Sequence, residues 1–229
     1  IERGDADVCF SGGAESKLSL MGLMRAEFTG RLAPTGDATD GGAIVRPFDP
    51  DAPGTLLAEG GGILILEAEP AARARGARAY AKLSGFGAAQ SPTGYLPVGQ
   101  EVPEAEDQAL QLAVEAALRD ADLTPGDIDA IASHALGWAD HDAAELRALS
   151  AVFGTRLRDI EVLTTAPYVG DMGAGHGAVQ VAAAALAVFH QTLPARLNTG
   201  RPPAGIRAAP APMRPATLRH VLIVSASIG

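Results

Sequence analysis

Residues 164–177 read Thr164-Thr165-Ala166-Pro167-Tyr168-Val169-Gly170-Asp171-Met172-Gly173-Ala174-Gly175-His176-Gly177. The apolar run before this stretch, 160–164, predicts a buried strand, and the alanine-rich run after it, 177–191, predicts a helix. A strand, a tight glycine-rich turn and a helix N-terminus bring backbone N–H groups to one edge of a sheet. Open α/β proteins place their chemistry at such an edge. The stretch is therefore our first candidate for a functional site.

The rest of the chain alternates between the same two patterns. Short apolar runs predict strands at 6–10, 63–66, 79–86, 130–132 and 221–224, and 63–66 is a continuous run typical of a strand buried on both faces. Helical spacing predicts helices at 18–28, 71–75, 103–121 and 142–153, the third starting at Pro103 with Glu104, Glu106 and Asp107 in its first turn. Residues 30–54 and 200–216 are predicted to be irregular. This alternation predicts an α/β fold with a mostly parallel sheet and helices on both faces.

Composition excludes several classes of protein. With 229 residues, of which 47% are apolar and 20% charged, the chain is predicted to be globular, as one domain or two closely packed halves. Its formal net charge of −9 and the lack of a local run of basic residues argue against a nucleic-acid partner. No apolar run is long enough to span a membrane, and no signal peptide is recognisable. The single cysteine fits a reducing cytoplasm, and the start at Ile1 suggests a piece of a longer protein.

The glycine-rich stretch could bind a phosphate, but its spacing argues against this. A dinucleotide fingerprint needs Gly-x-Gly-x-x-Gly, whereas Gly173, Gly175 and Gly177 place the third glycine one position early. Asp171 would also put a negative charge where a phosphate should lie. A purely structural role, in which the glycines allow a tight turn and a close approach of helix to sheet, remains open.

Histidine and cysteine side chains offer two further alternatives. His134, His141, Asp142 and His176 could be assembled around a metal, but their spacing matches no metal-binding motif, so we predict no metal site. Cys9 lies inside an apolar strand without a local base, which favours a buried, inert thiol over a nucleophile. His134 follows the strand at 130–132, at the end where catalytic residues gather in α/β folds.

Several ordered motifs together resemble one enzyme family, the β-ketoacyl-acyl carrier protein synthases. The motifs are Ser11-Gly12-Gly13-Ala14-Glu15, Arg46-Pro47-Phe48-Asp49, Glu59-Gly60-Gly61-Gly62-Ile63-Leu64-Ile65-Leu66-Glu67, Ala74-Arg75-Gly76-Ala77-Arg78-Ala79-Tyr80-Ala81, and Leu123-Thr124-Pro125-Gly126-Asp127-Ile128-Asp129 followed by His134. The resemblance implies the thiolase-like layered α-β-α-β-α fold. Residues 1–76 would complete its N-terminal half and 77–229 would form most of its C-terminal half. The family's nucleophilic cysteine would lie before Ile1.

The resemblance also implies which residues belong to the site. In this family a cysteine carries the acyl chain, two histidines hydrogen-bond the thioester oxygen, and a lysine supports the second histidine. His134 matches the first histidine, although His134-Ala135-Leu136-Gly137-Trp138 replaces the family's HGTxT. Asp142 and Glu145 match the GDxxE that follows, as supporting residues.

Two other family positions are changed. The family's TKxxxGHxxGAAG places its lysine at Ala166 and its second histidine at Asp171, beside the retained Gly170. An ionised carboxylate at 171 cannot donate a hydrogen bond, and it would repel the enolate charge that develops during decarboxylation. The resemblance therefore implies a degenerate ketosynthase subunit.

Such subunits resemble the chain length factors of type II polyketide synthases. The expected function is to pair as a heterodimer with a catalytic ketosynthase and to help set polyketide or fatty-acid chain length. Substrates would arrive on the phosphopantetheine of acyl carrier protein, so no resident cofactor is expected. Two alternatives remain open: an active β-ketoacyl synthase that performs decarboxylative Claisen condensation, and a structural subunit that docks the carrier protein. A reactive upstream cysteine would favour the first, and loss of carrier binding without a change in product length would favour the second.

Overall fold

The computed structural model describes residue 1, residues 3–90 and residues 108–226. Its strands are β1 (Val8–Glu15), β2 (Gly60–Glu67), β3 (Ala130–Ser133), β4 (Glu161–Thr164), β5 (Thr192–Leu193), β6 (Arg214–Pro215) and β7 (Val221–Ile223). Its α-helices are α1 (Leu20–Phe28), α2 (Glu69–Ala74), α3 (Ala109–Asp120), α4 (Ala139–Phe153), α5 (Ala166–Val169) and α6 (His176–His190). The predicted helix start at Pro103, with Glu104, Glu106 and Asp107, lies outside the described residues.

A three-stranded parallel sheet carries the core. Its order is β4-β3-β7, and Ala130 pairs with both Glu161 and Val221 at the amino end. All four residues of β3 are buried, as a central parallel strand with helices on both faces requires. α3 and α4 pack on one face through a cluster that includes Val114, Leu118, Ile131, Leu149 and Leu222. α6 covers the other through Ala130, Ala132, Leu163, Ala184 and Ala187. The predicted α/β architecture is confirmed.

The antiparallel pair β1–β2 lies on the other side of α6. Phe10 pairs with Ile65, and α6 contacts both strands through one face of the pair. The opposite face is exposed, with 72% of Phe10, 63% of Ile63 and 65% of Ile65 accessible. Our prediction that 63–66 is buried on both faces is therefore wrong for the described residues. The run is continuously apolar, but burial alternates along it because only one face meets a helix.

The strand predicted at 79–86 is also wrong. These residues contain no strand, and Tyr80, Leu83 and Phe86 are exposed. The segment runs along α3 instead: Phe86 N–H donates to Asp120 Oδ2 at 2.8 Å, and a Cβ on Gly85 would lie 2.5 Å from the Ala117 carbonyl. The alternating pattern corresponds to an extended segment, but the backbone of this segment packs against α3 and does not pair with a strand.

The segment at 200–216 is irregular, as predicted, apart from the two-residue strand β6 paired with β5. Arg196 anchors this segment to the sheet by donating to the carbonyls of Val162 and Ala209. Asn198 donates to Pro47 O at 2.8 Å and Ala208 O at 2.9 Å, which ties the segment to the loop before β2. Among the described helices, none is long and apolar enough to cross a membrane.

Candidate functional site

The first candidate residue, His134, lies at the carboxyl end of β3. Its side chain is 9% exposed, and its ring meets that of His176 edge to face at a centroid distance of 5.5 Å. The strand end is fixed by Gln180 of α6, whose Nε2 donates to the Ser133 carbonyl at 2.6 Å. The position predicted for His134 from the sequence, at the end of a buried strand, is the one observed.

The second imidazole of the site comes from the start of α6. His176 is 1% exposed, and its Nε2 lies 3.0 Å from Thr165 Oγ1, just after β4. From the sequence we considered His176 only as a possible metal ligand. The sequence did contain a signal that His176 belongs to the site: it directly precedes the predicted alanine-rich helix. A helix that follows a strand begins near the carboxyl edge of the sheet, where His134 lies. We call His134, Thr165 and His176 the histidine cluster.

Both imidazoles of the histidine cluster are held neutral. Burial, with a smaller contribution from the neighbouring His176, lowers the pKa of His134 to about 4. Burial also lowers the pKa of His176. The Asp171 carboxylate acts in the opposite direction on both rings, but burial outweighs it. At neutral pH each ring is therefore a neutral group with one donor and one acceptor nitrogen.

Asp171 is buried beside the histidine cluster and is paired with a cation. Its Oδ2 lies 3.1 Å from the Arg31 guanidinium, and its Oδ1 accepts from Gly173 N–H at 2.8 Å. The Asp171 backbone bonds to the segment before β2, with its N–H donating to Leu56 O at 2.7 Å. Gly170 allows this approach: its φ is +69°, and a Cβ there would lie 2.8 Å from the same Leu56 carbonyl. The loop therefore presents a buried carboxylate at the position that the motif resemblance predicts for the family's second histidine.

Arg31 reaches the site from the loop after α1. Its guanidinium lies 5.3 Å from the ring centroid of Trp138, and Trp138 stacks on His141 at 4.3 Å with an interplanar angle of 9°. His141 thus belongs to this stack, and among the described residues no group of three or more His, Cys, Asp or Glu could hold a metal ion. Sequence reasoning missed Arg31, which lies 140 residues from its partner Asp171.

Asp142 holds the loop that carries His134. Its carboxylate accepts from the backbone N–H groups of Leu136 and Gly137 at 3.0 Å and of Phe48 at 2.9 Å. Burial raises the pKa of Asp142 to about 6 although these hydrogen bonds oppose it. The carboxylate therefore joins the loop after β3 to the Arg46–Asp49 motif, and it supports the site without reaching the histidine rings.

Glu145 plays a similar supporting role one turn later on α4. It accepts from His134 N–H at 3.2 Å and is 5% exposed. Burial raises the pKa of Glu145 to about 8, and the Asp142 charge adds to the effect. Glu145 is therefore mostly protonated at neutral pH. Ala166, which the motif resemblance predicts at the position of the family's lysine, is buried at the start of α5 and provides no polar side-chain group.

Two family models match this chain. The β-ketoacyl synthase N-terminal domain matches residues 1–72, and the β-ketoacyl synthase C-terminal domain matches residues 80–200. The chain therefore belongs to the β-ketoacyl synthase family.

Curated and solved relatives agree with this assignment. The tetracenomycin polyketide synthase ketoacyl synthase alpha subunit of Streptomyces glaucescens is 32% identical over 205 residues, covering 88% of this chain and 46% of the relative. The ishigamide ketosynthase/chain length factor has a TM-score of 0.80 at 26% identity, covering 96% of this chain and 50% of that one. A type II polyketide synthase ketosynthase, solved with its acyl-carrier protein and a hexaketide, has a TM-score of 0.88 at 26% identity. The match covers 100% of this chain and 55% of that one. The fold is thus the thiolase-like ketosynthase fold, and the chain spans about half the length of the relatives it matches.

Proposed function

We propose that this chain belongs to a non-catalytic or weakly active ketosynthase-like subunit that pairs with a catalytic β-ketoacyl synthase and helps set acyl chain length. The Arg31–Asp171 ion pair is the observation that carries the proposal. By the motif resemblance, Asp171 corresponds to the family's second histidine donor, and both side chains of the pair are largely buried, with 24% of Arg31 and 5% of Asp171 exposed.

The ion pair is unsuited to condensing chemistry for an electrostatic reason. Decarboxylation of a malonyl thioester develops negative charge on the thioester oxygen, and a preorganised donor at that point is worth about 2.7–4 kcal/mol. An ionised Asp171 can only accept hydrogen bonds. The positive charge of Arg31 does not stand free at this point, because its guanidinium is already paired with the Asp171 carboxylate.

A partner subunit is supported by the apolar surface that the described residues leave uncovered. Phe10, Ile63 and Ile65 form one exposed face of the β1–β2 pair, and Leu20, Met21 and Phe28 are exposed on α1. Exposed large apolar side chains that share one face of a strand pair, as Phe10, Ile63 and Ile65 do, are typical of interaction sites. The solved ketosynthase/chain length factor relative is a complex of the proposed type, and another relative was solved with its acyl-carrier protein. By the same reasoning, substrates reach this assembly on phosphopantetheine, and the subunit needs no resident cofactor.

An apolar groove beside Arg31 supports a role in chain length. It has a volume of about 380 Å³ and is lined by Leu23, Met24, Glu27, Phe28 and Leu32. Leu32 follows Arg31 in the chain, so we propose this groove, next to the residue that pairs with Asp171, as a wall along which an acyl chain extends.

The experiment that tests the proposal is acyl transfer to the complete polypeptide. The polypeptide is incubated with a radiolabelled acyl-pantetheine thioester, and any labelled peptide is mapped by mass spectrometry. We expect no covalent acyl group on this polypeptide and full product formation only with a catalytic partner. A Cys9→Ser variant is the control, because Cys9 is exposed and could react non-specifically; the burial predicted for this thiol from the sequence is wrong. Stable acylation of another residue of this polypeptide would refute the proposal.

One observation favours the alternative of an active synthase. The histidine cluster retains two neutral buried imidazoles, the number that the family uses, although His176 comes from a different position. In an active enzyme, His176→Ala would lower condensation at least tenfold, whereas His190→Ala at the far end of α6 would leave it unchanged. Equal rates for the two variants would remove this alternative.

A further inference from the structure

Gln180 is a fully buried polar side chain on α6, with 0% of its surface exposed. Its Nε2 donates to the Ser133 carbonyl at 2.6 Å, which fixes the orientation of the amide group. The other end of the amide, Oε1, is buried and meets no partner at strict hydrogen-bond geometry among the described residues. A buried amide oxygen without a donor destabilises a protein, so such atoms are typically paired. The donor for Oε1 is therefore to be sought among its neighbours.

His134 directly follows the residue that Gln180 holds. Its Nδ1 is likewise buried without a partner of strict geometry in the described part of the chain. Burial is the largest influence on the pKa of His134 and lowers it, whereas a side-chain hydrogen bond with Gln180 raises it. A neighbour that raises the pKa of an imidazole stabilises its protonated form, so Gln180 acts on His134 as an acceptor. Oε1 is the acceptor atom of the Gln180 side chain.

The two unpartnered atoms satisfy each other in one tautomer of His134. With its proton on Nδ1, the ring offers an N–H group to Gln180 Oε1. With its proton on Nε2, the buried Nδ1 and Oε1 would both keep an unpaired lone pair, which is costly away from water. We therefore assign the proton to Nδ1 from the partners of the ring, which leaves Nε2 as an acceptor.

The second ring of the histidine cluster follows the same pattern. Burial lowers the pKa of His176, whereas Asp171 and a backbone hydrogen bond with Gly170 oppose this effect. The Gly170 N–H already donates to Ala166 O at 2.8 Å, so the Gly170 carbonyl is the group that accepts from His176. Because His176 Nε2 is taken by Thr165 Oγ1 at 3.0 Å, Nδ1 carries the proton. His176 Nε2 thus accepts from the Thr165 hydroxyl, whose oxygen keeps free lone pairs.

We propose that Gln180 is a positioning residue that keeps the proton of His134 on Nδ1, so that the histidine cluster receives a ligand group that donates a hydrogen bond. His134 Nε2 and Thr165 Oγ1 both offer lone pairs, and the Asp171 carboxylate adds negative potential at both rings. A hydroxyl group carried on an acyl chain fits such a site, whereas an oxyanion does not. The ligand part rests on the proposed function, which brings an acyl chain here, but the tautomer part does not.

The tautomer is tested in the complete polypeptide, with nitrogen-15-labelled histidine and long-range proton–nitrogen correlation at neutral pH. A His134→Asn variant assigns the signals. We expect the His134 proton on Nδ1 in the unchanged protein and in Gln180→Glu, which keeps an acceptor, but mainly on Nε2 in Gln180→Met. Both variants remove the amide N–H that bonds Ser133, so their difference isolates the acceptor. Gln111→Met is the matched control, because Gln111 bonds Glu115 on α3.

The unchanged protein alone can overturn the proposal, even if no variant folds. A proton on Nε2 of His134 would do so, and so would a proton that stays on Nδ1 in a folded Gln180→Met variant. Acylation of the polypeptide, in the experiment described above, would overturn the proposed function and leave this tautomer result standing. The two failures are therefore distinguishable.

The ligand class is tested by calorimetry with two pantetheine thioesters of equal chain length, β-hydroxyoctanoyl and β-methoxyoctanoyl. The methoxy group cannot donate a hydrogen bond. We expect the hydroxy compound to bind about 3- to 10-fold more tightly, since one neutral hydrogen bond has a modest net value. Gln180→Met should remove this preference and Gln111→Met should retain it. Equal affinities, or binding of neither compound, would overturn the ligand part of the proposal.

Discussion

The parallel sheet β4-β3-β7 and the antiparallel pair β1–β2 have similarly apolar sequences but differ in how many of their faces are buried. β3 is buried on both faces, and its buried neighbours include Leu149 at 0% exposure. The β1–β2 pair is covered by α6 on one face and open on the other. The difference teaches that the half of the chain that contains the histidine cluster forms its own core, whereas the first half depends on additional polypeptide.

The largest expected effect is a loss of stability in the half of the chain that contains the histidine cluster. Leu149→Ala in the complete polypeptide should lower the free energy of unfolding by about 2–5 kcal/mol, because it leaves a cavity between α4 and the sheet. Leu112→Ala is the matched control, since Leu112 is 49% exposed on α3. The measurement is urea denaturation followed by circular dichroism. Equal losses for the two variants would contradict the core described above.

The second effect is a pH dependence that arises in the same half. The pKa of Glu145 is about 8 in the folded protein against its ordinary value of 4.5, so the folded state binds this proton more tightly. Its contribution to stability is therefore full below about pH 4.5 and is lost as the pH rises to about 8, by up to about 1.4 kcal/mol per pH unit. Glu145→Gln should flatten this part of the stability–pH profile, whereas Glu115→Gln on α3 should not. A profile that Glu145→Gln leaves unchanged would contradict the prediction.

The third effect concerns the link between the two halves. Arg31→Gln should destabilise the protein by about 1–3 kcal/mol, because the buried Asp171 carboxylate loses its partner. Adding Asp171→Asn should recover most of that loss, and denaturation of both single variants and the double variant gives the coupling energy. The exposed pair Arg73–Glu69 serves as a reference, for which we expect below about 1 kcal/mol. Additive losses at 31 and 171 would show that the pair is not coupled.

The smallest effect on stability is expected on α1. Phe28→Ala should change the free energy of unfolding by less than about 0.5 kcal/mol if its 75% exposed ring stays uncovered. In the assembly with a catalytic partner, it should lengthen the acyl product, because the groove beside Arg31 becomes wider. Mass spectrometry of the products is the measurement, and Leu112→Ala is again the control. An unchanged product distribution would show that this groove does not control the length of the acyl product.

Sequence reasoning succeeded where the signal was local. The strand that ends at His134 and the glycine loop around Gly170 and Asp171 follow from short patterns, since burial and turn geometry act over a few residues. It failed for the Arg31–Asp171 pair, which joins positions 140 residues apart. It failed likewise at 79–86, because an alternating pattern does not say whether an extended segment meets a strand or a helix. Sequence reasoning also missed the convergence of Arg196, Arg207 and Arg214 on Glu161, because these residues meet only in the folded chain.

The stacked ring of Trp138 has a practical consequence. It is the only tryptophan in the chain, and it lies against both Arg31 and His141. Indole emission depends on nearby cations and on access of water. In a polypeptide without further tryptophans, the intrinsic fluorescence would therefore report on the surroundings of Trp138 alone. Binding of a partner or an acyl chain next to Arg31 could then be followed in real time, without any attached dye.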